Sequence, residues 1–480
     1  MRVPGLVAVA FGLTVALAAA APGPGIPGSV AARPAATGPA AYSVGALADV
    51  AVRPGVQQAG RGQANPPTTA DCEKAYKVVC YQPAQIRQAY DLAPLYARGV
   101  TGRGTTIVIV DSFGSPTIRH DLTMFDQAFG LPAPPKFTIS QPVGRVPRYD
   151  PANSDMVGWA GETTLDVEYA HAIAPGASIL LVETPVSETE GVHGFPQIIK
   201  AEQYVVRHHL GDVISQSFSA TEQTFPSQAA VQALRGAYQL AARNHVTVLA
   251  ASGDSGAADV KLDETTYYPF PVTSWPDSDP LVTAVGGTQL HVTATGKPAA
   301  PTVWNDTYNQ AANVFAVGNA GPNPLASGGG RSVLFGRPGY QDGVKNVVGG
   351  QRGVPDISMS AACDGSVDTY GTYGGAPAGW SPSCGTSEAT PLFAGIVALA
   401  AQVAGHPLGP VNPALYRLAA AHARGIVDVT KGDNTVSYTQ GGQRRTVRGF
   451  TAAPGYDLAS GVGTVDAAYF VGELASAVGH

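Results

Sequence analysis

Apolar residues in this chain fall into short β-branched runs separated by longer stretches with helical spacing. Thr105–Val110 reads TTIVIV and closes on Asp111 and the breaker series Ser112, Phe113, Gly114, Ser115, Pro116, which predicts a buried strand. Similar runs at Ile179–Val182, Val213–Ser215, Val246–Ala250 and Leu281–Val285 predict four more. Gln197–His209 and Ala229–Arg243 carry apolar residues at helical spacing, and each leads into a strand. Strands alternating with helices imply right-handed crossovers and an α/β fold: a mainly parallel central sheet with helices on both faces. In such sheets functional groups gather beyond the carboxyl ends of the strands. After Thr288 the pattern loosens through Gly328-Gly329-Gly330 and many Pro and Tyr residues, so loops are expected there until an apolar helix resumes at Pro391–Val403. No linker-like break interrupts residues 80–475, which predicts one domain.

The amino-terminal pattern is different. Arg2 is followed by an apolar stretch, Leu6 to Leu17, and by Ala18-Ala19-Ala20-Ala21 before Pro22. That order reads as a signal peptide over residues 1–21, and hence as a secreted, extracellular protein. The run is short for a membrane span, and no later uninterrupted stretch approaches the roughly 20 residues that one needs. Residues 22–71 are dominated by Ala, Pro and Gly, which offer little to bury, and read as a flexible leader rather than a full-length prodomain. The remaining 72–480 would be the functional domain.

Composition narrows the choice of partners. Charged residues make up 13% of the chain and the formal charge is -6, so a basic surface that tracks phosphate backbones is not expected, and nucleic acid is excluded as a partner. Four cysteines in an exported chain suit disulfides. Three pairings are possible, and sequence proximity favours Cys72 with Cys80 and Cys363 with Cys384.

Three segments carry candidate chemistry. Gly385-Thr386-Ser387-Glu388-Ala389-Thr390-Pro391 puts a serine at a helix start, where free N–H groups and the dipole stabilise a developing oxyanion. Pro391 is expected early enough in that helix for its missing N–H to matter little. A capping serine is the commoner reason for such a pattern. A serine nucleophile needs a base, and none of the ten histidines is well placed. His171 would lie on the opposite helix face from Glu162, about 180° round. Glu162 and Asp166, four residues apart, advance only about 40° and share a face. On a solvated helix that pair is mildly unfavourable; buried, it becomes a dyad sharing a proton. Ala251-Ser252-Gly253-Asp254-Ser255-Gly256 follows the strand Val246–Ala250 directly, and would by itself be only a turn.

Together these segments resemble the sedolisin family, the serine-carboxyl peptidases, whose fold is similar to subtilisin's. The resemblance covers roughly residues 80–475 and includes Thr283–Thr288, Ser327–Gln341 and Arg352–Ser358. It implies a monomer that hydrolyses protein or peptide substrates at acidic pH through an acyl-enzyme on Ser387. Glu162 would be the general base and later acid, Asp166 its orienting partner, and Asp254 a protonated donor in the oxyanion hole. It also implies one Ca²⁺ site from the carboxylates of Asp428 and Asp457 and the carbonyls of Val429, Ala453 and Gly455, hard oxygens of the kind calcium requires.

Three features depart from the family pattern. Only Pro22–Asp71 lies between the signal and the domain, where members have a long prodomain. An acid and a tryptophan that support the carboxylates in some relatives correspond here to Asp111 and Phe218, and Phe218 has no indole N–H. Glu388 follows the nucleophile where small residues are common; its charge would bias the base or be solvated at the helix start. Two other readings stay open: a subtilisin-type Ser/His/Asp protease using Asp111, and an exported binding protein that keeps the fold. Endopeptidase and tripeptidyl-type exopeptidase are equally compatible with the residues.

Overall fold

Along Thr106–Ser112 (β1) alternate side chains enter two different cores. Ile107 and Ile109 face one side, with Ile179, Leu181, Val213, Leu249 and Val285. Val108 and Val110 face the other, with Leu180, Val182, Ile214, Val248 and Ala250. A sheet buried on both faces needs apolar residues at consecutive positions, which is why these strands read as continuous runs. Each fully buried Val, Leu or Ile stabilises the fold by about 1.5–3 kcal/mol.

The computed structural model describes residues 57–59, 62–292, 298–315 and 322–478. The chain divides into two units, Met1–Ala48 and Asp49–His480, and every described residue belongs to the second. The expected signal peptide and most of the expected leader lie outside the described residues.

The other strands of the central sheet are β2 (Phe137–Ser140), β3 (Ser178–Thr184), β4 (Val213–Gln216), β5 (Thr247–Ala251), β6 (Thr283–Gln289), β7 (Thr302–Val303) and β8 (Ile357–Ser360). Their order is β7-β6-β5-β4-β1-β3-β2, with β8 also paired to β6. Every pairing is parallel except β6 with β7. From β1 the chain passes to the edge strand β2 and returns to β3, which lies between them, then crosses to the other side of β1 and runs outward through β4, β5 and β6. That reversal opens a crevice beyond the carboxyl ends of β1 and β4.

Helices α1 (Ser154–Ile173), α4 (Thr386–Ala404) and α5 (Ala467–Ala477) contribute to one core, and α2 (Phe195–Arg207) and α3 (Gly236–Arg243) to the other. The expected doubly covered parallel sheet is therefore present. The expected helix Ala229–Arg243 is two helices, Gln228–Leu234 and α3, which meet at Arg235 and Gly236. Helix α1 starts where Asn153 Oδ1 accepts from the N–H groups of Asp155 and Met156, at 3.0 and 3.2 Å. It packs on α4 at Gly395, where an added Cβ would sit 2.6 Å from Ile173 Cβ. Glycine there lets the two helices approach at van der Waals distance.

The stretch after Thr288 holds more strand than its pattern suggested. Ser366–Gly371 (β9) and Gly379–Cys384 (β10) form an antiparallel pair that leads straight into α4. Gln57–Gln58, expected in the leader, pairs antiparallel with β10 opposite Cys384 and Ser383. Disulfides join Cys72 to Cys80 and Cys363 to Cys384, as proximity favoured. Helix α4 is the one described helix long and apolar enough to cross a membrane, and it is mostly buried in the core.

Candidate active site

Ser387 is the second residue of α4 and is buried. Gly385 precedes the helix at φ +123°, a conformation that side chains disfavour, and turns the chain from β10 into α4. The helix begins at Thr386, so Pro391 is its sixth residue and lies inside it. This corrects the expected placement: the N–H that Pro391 lacks would have bonded the carbonyl of Ser387, four residues back.

Asp254 stands just beyond β5, and Thr386 fixes it. The Thr386 N–H and hydroxyl both donate to Asp254 Oδ1, at 2.7 and 2.8 Å. The N–H of Gly253 donates to Thr386 Oγ1 at 3.2 Å. Asp254 Oδ2 is shielded from solvent and has no partner among the described residues. Burial lifts the carboxyl to about 7, against the pull of the Thr386 bonds. The glycine run beside it is explained by close approach. Gly328 N–H donates to Gly253 O at 2.7 Å, and a Cβ on Gly328 would lie 1.8 Å from Ser252 O.

Glu162 and Asp166 lie on α1 and are fully buried, so the solvated alternative for the pair fails. Ser217, just past β4, donates to Asp166 Oδ1 at 2.8 Å. Burial, then Asp111, then Glu162 push the Asp166 carboxyl well above its ordinary range. Asp111 sits at the end of β1; burial, with Glu183 adding, lifts it to about 7. Three buried acids thus interact at the crevice, and opposite charge is not what holds them: at least part of the set must be protonated.

His171 points elsewhere, with Nε2 2.8 Å from Pro132 O and 3.2 Å from Asp126 Oδ1. Phe218 packs edge-on against Trp159 and Phe195. The indole N–H nearby belongs to Trp159 and donates to Ser187 Oγ at 3.1 Å. Glu388 is fully buried, which rules out the expected solvation at the helix start; burial raises its carboxyl well above the usual range.

Ser387, Thr386, Asp254 and Ser217 line one cavity of about 1090 Å³. Glu162 and Asp166 are absent from its lining. Gln57 and His193 line it too, together with acids that the sequence reading passed over: Asp155, Glu188, Glu190, Asp259, Asp263 and Glu264. Thr386 and Ser217 were also missed. Position beyond a strand's carboxyl end was the signal available for Ser217 and for Glu188 and Glu190.

Far from Ser387 in sequence, the segments around Asp428 and Asp457 meet. Gly455 N–H donates to Asp428 Oδ2 at 2.9 Å, and Ser460 Oγ lies 3.5 Å from Val429 O. Asp457 Oδ1 accepts from the N–H groups of Ala459 and Ser460, each at 2.9 Å, and Oδ2 from Ala453 N–H at 3.1 Å. Two carboxylates and three carbonyl-bearing residues are therefore neighbours, and all would offer oxygen. This donor set fits Ca²⁺.

A model of the subtilase family matches residues 154–441, more than half of the chain. The fold and this match define the class: the chain belongs to the subtilase family. Kumamolisin of Bacillus sp. (strain MN-32) is 32% identical over 405 residues, covering 80% of this chain and 62% of the relative. Tripeptidyl-peptidase 1 of Rattus norvegicus is 28% identical over 403 residues, with 80% and 62% covered. The solved structure of Pseudomonas sedolisin, a serine-carboxyl proteinase complexed with pseudo-iodotyrostatin, superposes with a TM-score of 0.66 at 26% identity, covering 83% of this chain and 99% of that one. Within the subtilases the chain is of the sedolisin type. It spans about three fifths of the length of the curated relatives it matches.

Proposed function

We propose that this protein is a serine-carboxyl peptidase that cleaves protein or peptide substrates through an acyl-enzyme on Ser387. Ser387 Oγ attacks the scissile carbonyl carbon while Glu162 takes its proton. The oxyanion that forms accepts a hydrogen bond from Asp254, which must be protonated to donate. Collapse breaks the C–N bond, and Glu162 returns the proton to the leaving amine. Water then attacks the acyl-enzyme by the same route, and the carboxylic acid product leaves with Ser387 restored. Asp166, held by Ser217, orients Glu162 and keeps a proton within the buried acid set.

The observation that carries this reading is the division of labour at Asp254. One oxygen is tied to Thr386, the residue before the nucleophile, and the other is unpartnered. Its pKa of about 7 makes it a donor at acidic pH, which supports acidic working conditions. The two disulfides support an extracellular setting, and residues 1–21 are proposed as the signal that takes the chain there, followed by the leader 22–71 and the peptidase domain 72–480. The protein is proposed to act as a monomer. Asp428 and Asp457, with the carbonyls of Val429, Ala453 and Gly455, would hold one Ca²⁺. The ion would tie two carboxyl-terminal segments together and take no part in peptide hydrolysis.

Glu162→Gln tests the base. The variant should keep its melting temperature and lose about 10²–10⁴-fold in kcat on a neutral peptide. Unchanged turnover would overturn the assignment, and an equal loss in His193→Ala would point to a histidine base instead.

A further inference from the structure

Asp368 is a buried acid with no part in the peptidase mechanism. It is 0% exposed in β9, and among the described residues neither of its carboxylate oxygens has a hydrogen-bond partner. A carboxyl in that state is costly unless something binds it. The backbone accounts for its place. Cys80–Tyr81 pairs parallel with β9, with Cys80 opposite Ser366, and Asp368 stands two residues further along, on the same face as Ser366. Tyr169 Oη donates to the Asp368 carbonyl at 2.9 Å, so the backbone is held while the side chain is left unpaired.

The disulfide Cys72–Cys80 stands beside that carboxyl. Helix Thr69–Tyr76 begins on Thr68, whose Oγ1 accepts from Asp71 N–H at 3.2 Å, while Asp71 Oδ2 accepts from Thr68 N–H at 3.0 Å. Cys72 is the one buried residue of this helix. Thr69 Oγ1 donates to Cys80 O at 2.8 Å and fixes the helix against the strand. One carboxylate oxygen of Asp368 and the two sulfurs all lie within 4.8 Å of one another. Among the described residues this is the one such set of three His, Cys, Asp or Glu donor atoms.

As a disulfide the sulfurs carry no charge and leave Asp368 without a counter-ion. As two thiols they supply two thiolates, and with the carboxylate they make a three-donor set for Zn²⁺, which takes sulfur at about 2.3 Å and oxygen at about 2.0–2.2 Å. Tetrahedral angles at that sulfur distance put two thiolates about 3.8 Å apart. The Cα atoms of Cys72 and Cys80 are 5.9 Å apart, which leaves room for that separation by side-chain rotation. Thr68 O, 3.6 Å from Cys80 Sγ, offers a fourth donor on the same side. Burial, with Asp71 adding, holds the Asp368 carboxyl well above its ordinary range, and a divalent cation would reverse that cost.

We propose that Cys72, Cys80 and Asp368 form a binding site for a thiophilic divalent cation such as Zn²⁺ whenever their disulfide is open. In an exported chain the disulfide is made from two thiols, so the open set precedes the closed one. A reductant of the phosphine or dithiol class opens it again: two electrons enter the S–S bond, two protons arrive, and the thiols release those protons when the metal binds. Metal and disulfide are thus alternative clasps between helix Thr69–Tyr76 and β9. The inference is independent of the peptidase reading.

Co²⁺ reports the site, because thiolate bound to Co²⁺ gives an ultraviolet charge-transfer band that the oxygen donors proposed for Ca²⁺ do not. Native protein opened with tris(2-carboxyethyl)phosphine should take up one equivalent of Co²⁺ with that band and lose the band to one equivalent of Zn²⁺. It should also melt at a higher temperature with Zn²⁺ than without. Unreduced protein should show no band. Cys72→Ser should abolish the band, and Asp368→Asn, which keeps both thiols, should weaken Zn²⁺ binding by about tenfold or more. Asp368→Ser removes the same carboxylate, and either variant that melts cooperatively suffices. No band in reduced native protein would overturn the proposal, as would a reduced protein that unfolds and is not refolded by Zn²⁺. So would a band that survives Cys72→Ser, which would place the metal on Cys363 and Cys384, or a folded Asp368 variant that binds Zn²⁺ as tightly as the native protein.

Discussion

Replacing Asp254 separates its two jobs. With a pKa of about 7, the carboxyl is about 90% protonated at pH 6 and about 10% protonated at pH 8. If the protonated form is the oxyanion donor, kcat on a neutral peptide should fall about tenfold across that interval. Asp254→Asn keeps an acceptor for the Thr386 N–H and hydroxyl, and its amide N–H takes the place of the acid proton at every pH. That variant should lose the part of the alkaline decline that belongs to Asp254. Asp254→Ala has no donor and should lose about 10²–10³-fold in kcat. Asp111, also lifted to about 7, titrates in the same interval and is common to all three proteins, so the difference between profiles isolates Asp254. Stability shifts in step. A carboxyl whose folded pKa is raised binds more proton when folded than when unfolded between about pH 4 and 7, so stability falls as pH rises through that window. Asp254→Asn should flatten that slope in a series of melting curves. The reasoning fails if Asp254→Ala turns over within threefold of the native protein, or if native and Asp254→Asn share one alkaline limb.

Two further outcomes follow from packing and ligation. Gly395→Ala puts a methyl 2.6 Å from both Ile173 Cβ and Cγ2 and should destabilise by about 1–3 kcal/mol, with kcat falling as α4 shifts on α1; an unchanged melting curve would show that the helix contact is soft. Chelation should lower the melting temperature through loss of Ca²⁺, by the equivalent of about 2.7 kcal/mol at a hundredfold excess of ion over Kd, whereas Asp457→Asn should respond little; a native melting curve indifferent to chelator argues against the site.

The parallel strands were legible because burial on both faces requires unbroken apolar runs such as Ile107–Val110. The hairpin β9 and β10 was not, since SVDTYG and GWSPSC carry polar residues and Pro382. Helix α1 is buried all round from Trp159 to Ile173, so it has no polar face to mark its orientation, and only the spacing of Glu162 and Asp166 singled it out. Of the two alternatives for Glu388, solvation fails: an acid in the first turn of a helix is usually at the surface, but α4 is sunk in the core from its first residue. The partnership of Asp254 with Thr386 spans 132 positions, and the influence of Asp259 on Glu188 links loops beyond β5 and β3, strands that β4 and β1 separate; neither is encoded in local pattern.

The most direct measurement of the central claim is mass-spectrometric mapping of products from a peptide mixture incubated with native protein and with Ser387→Ala between about pH 3 and 7. The account predicts new termini from the native protein, more abundant toward acid pH, and none from Ser387→Ala. Identical products from both proteins, or no cleavage by the native protein anywhere in that range, would contradict it.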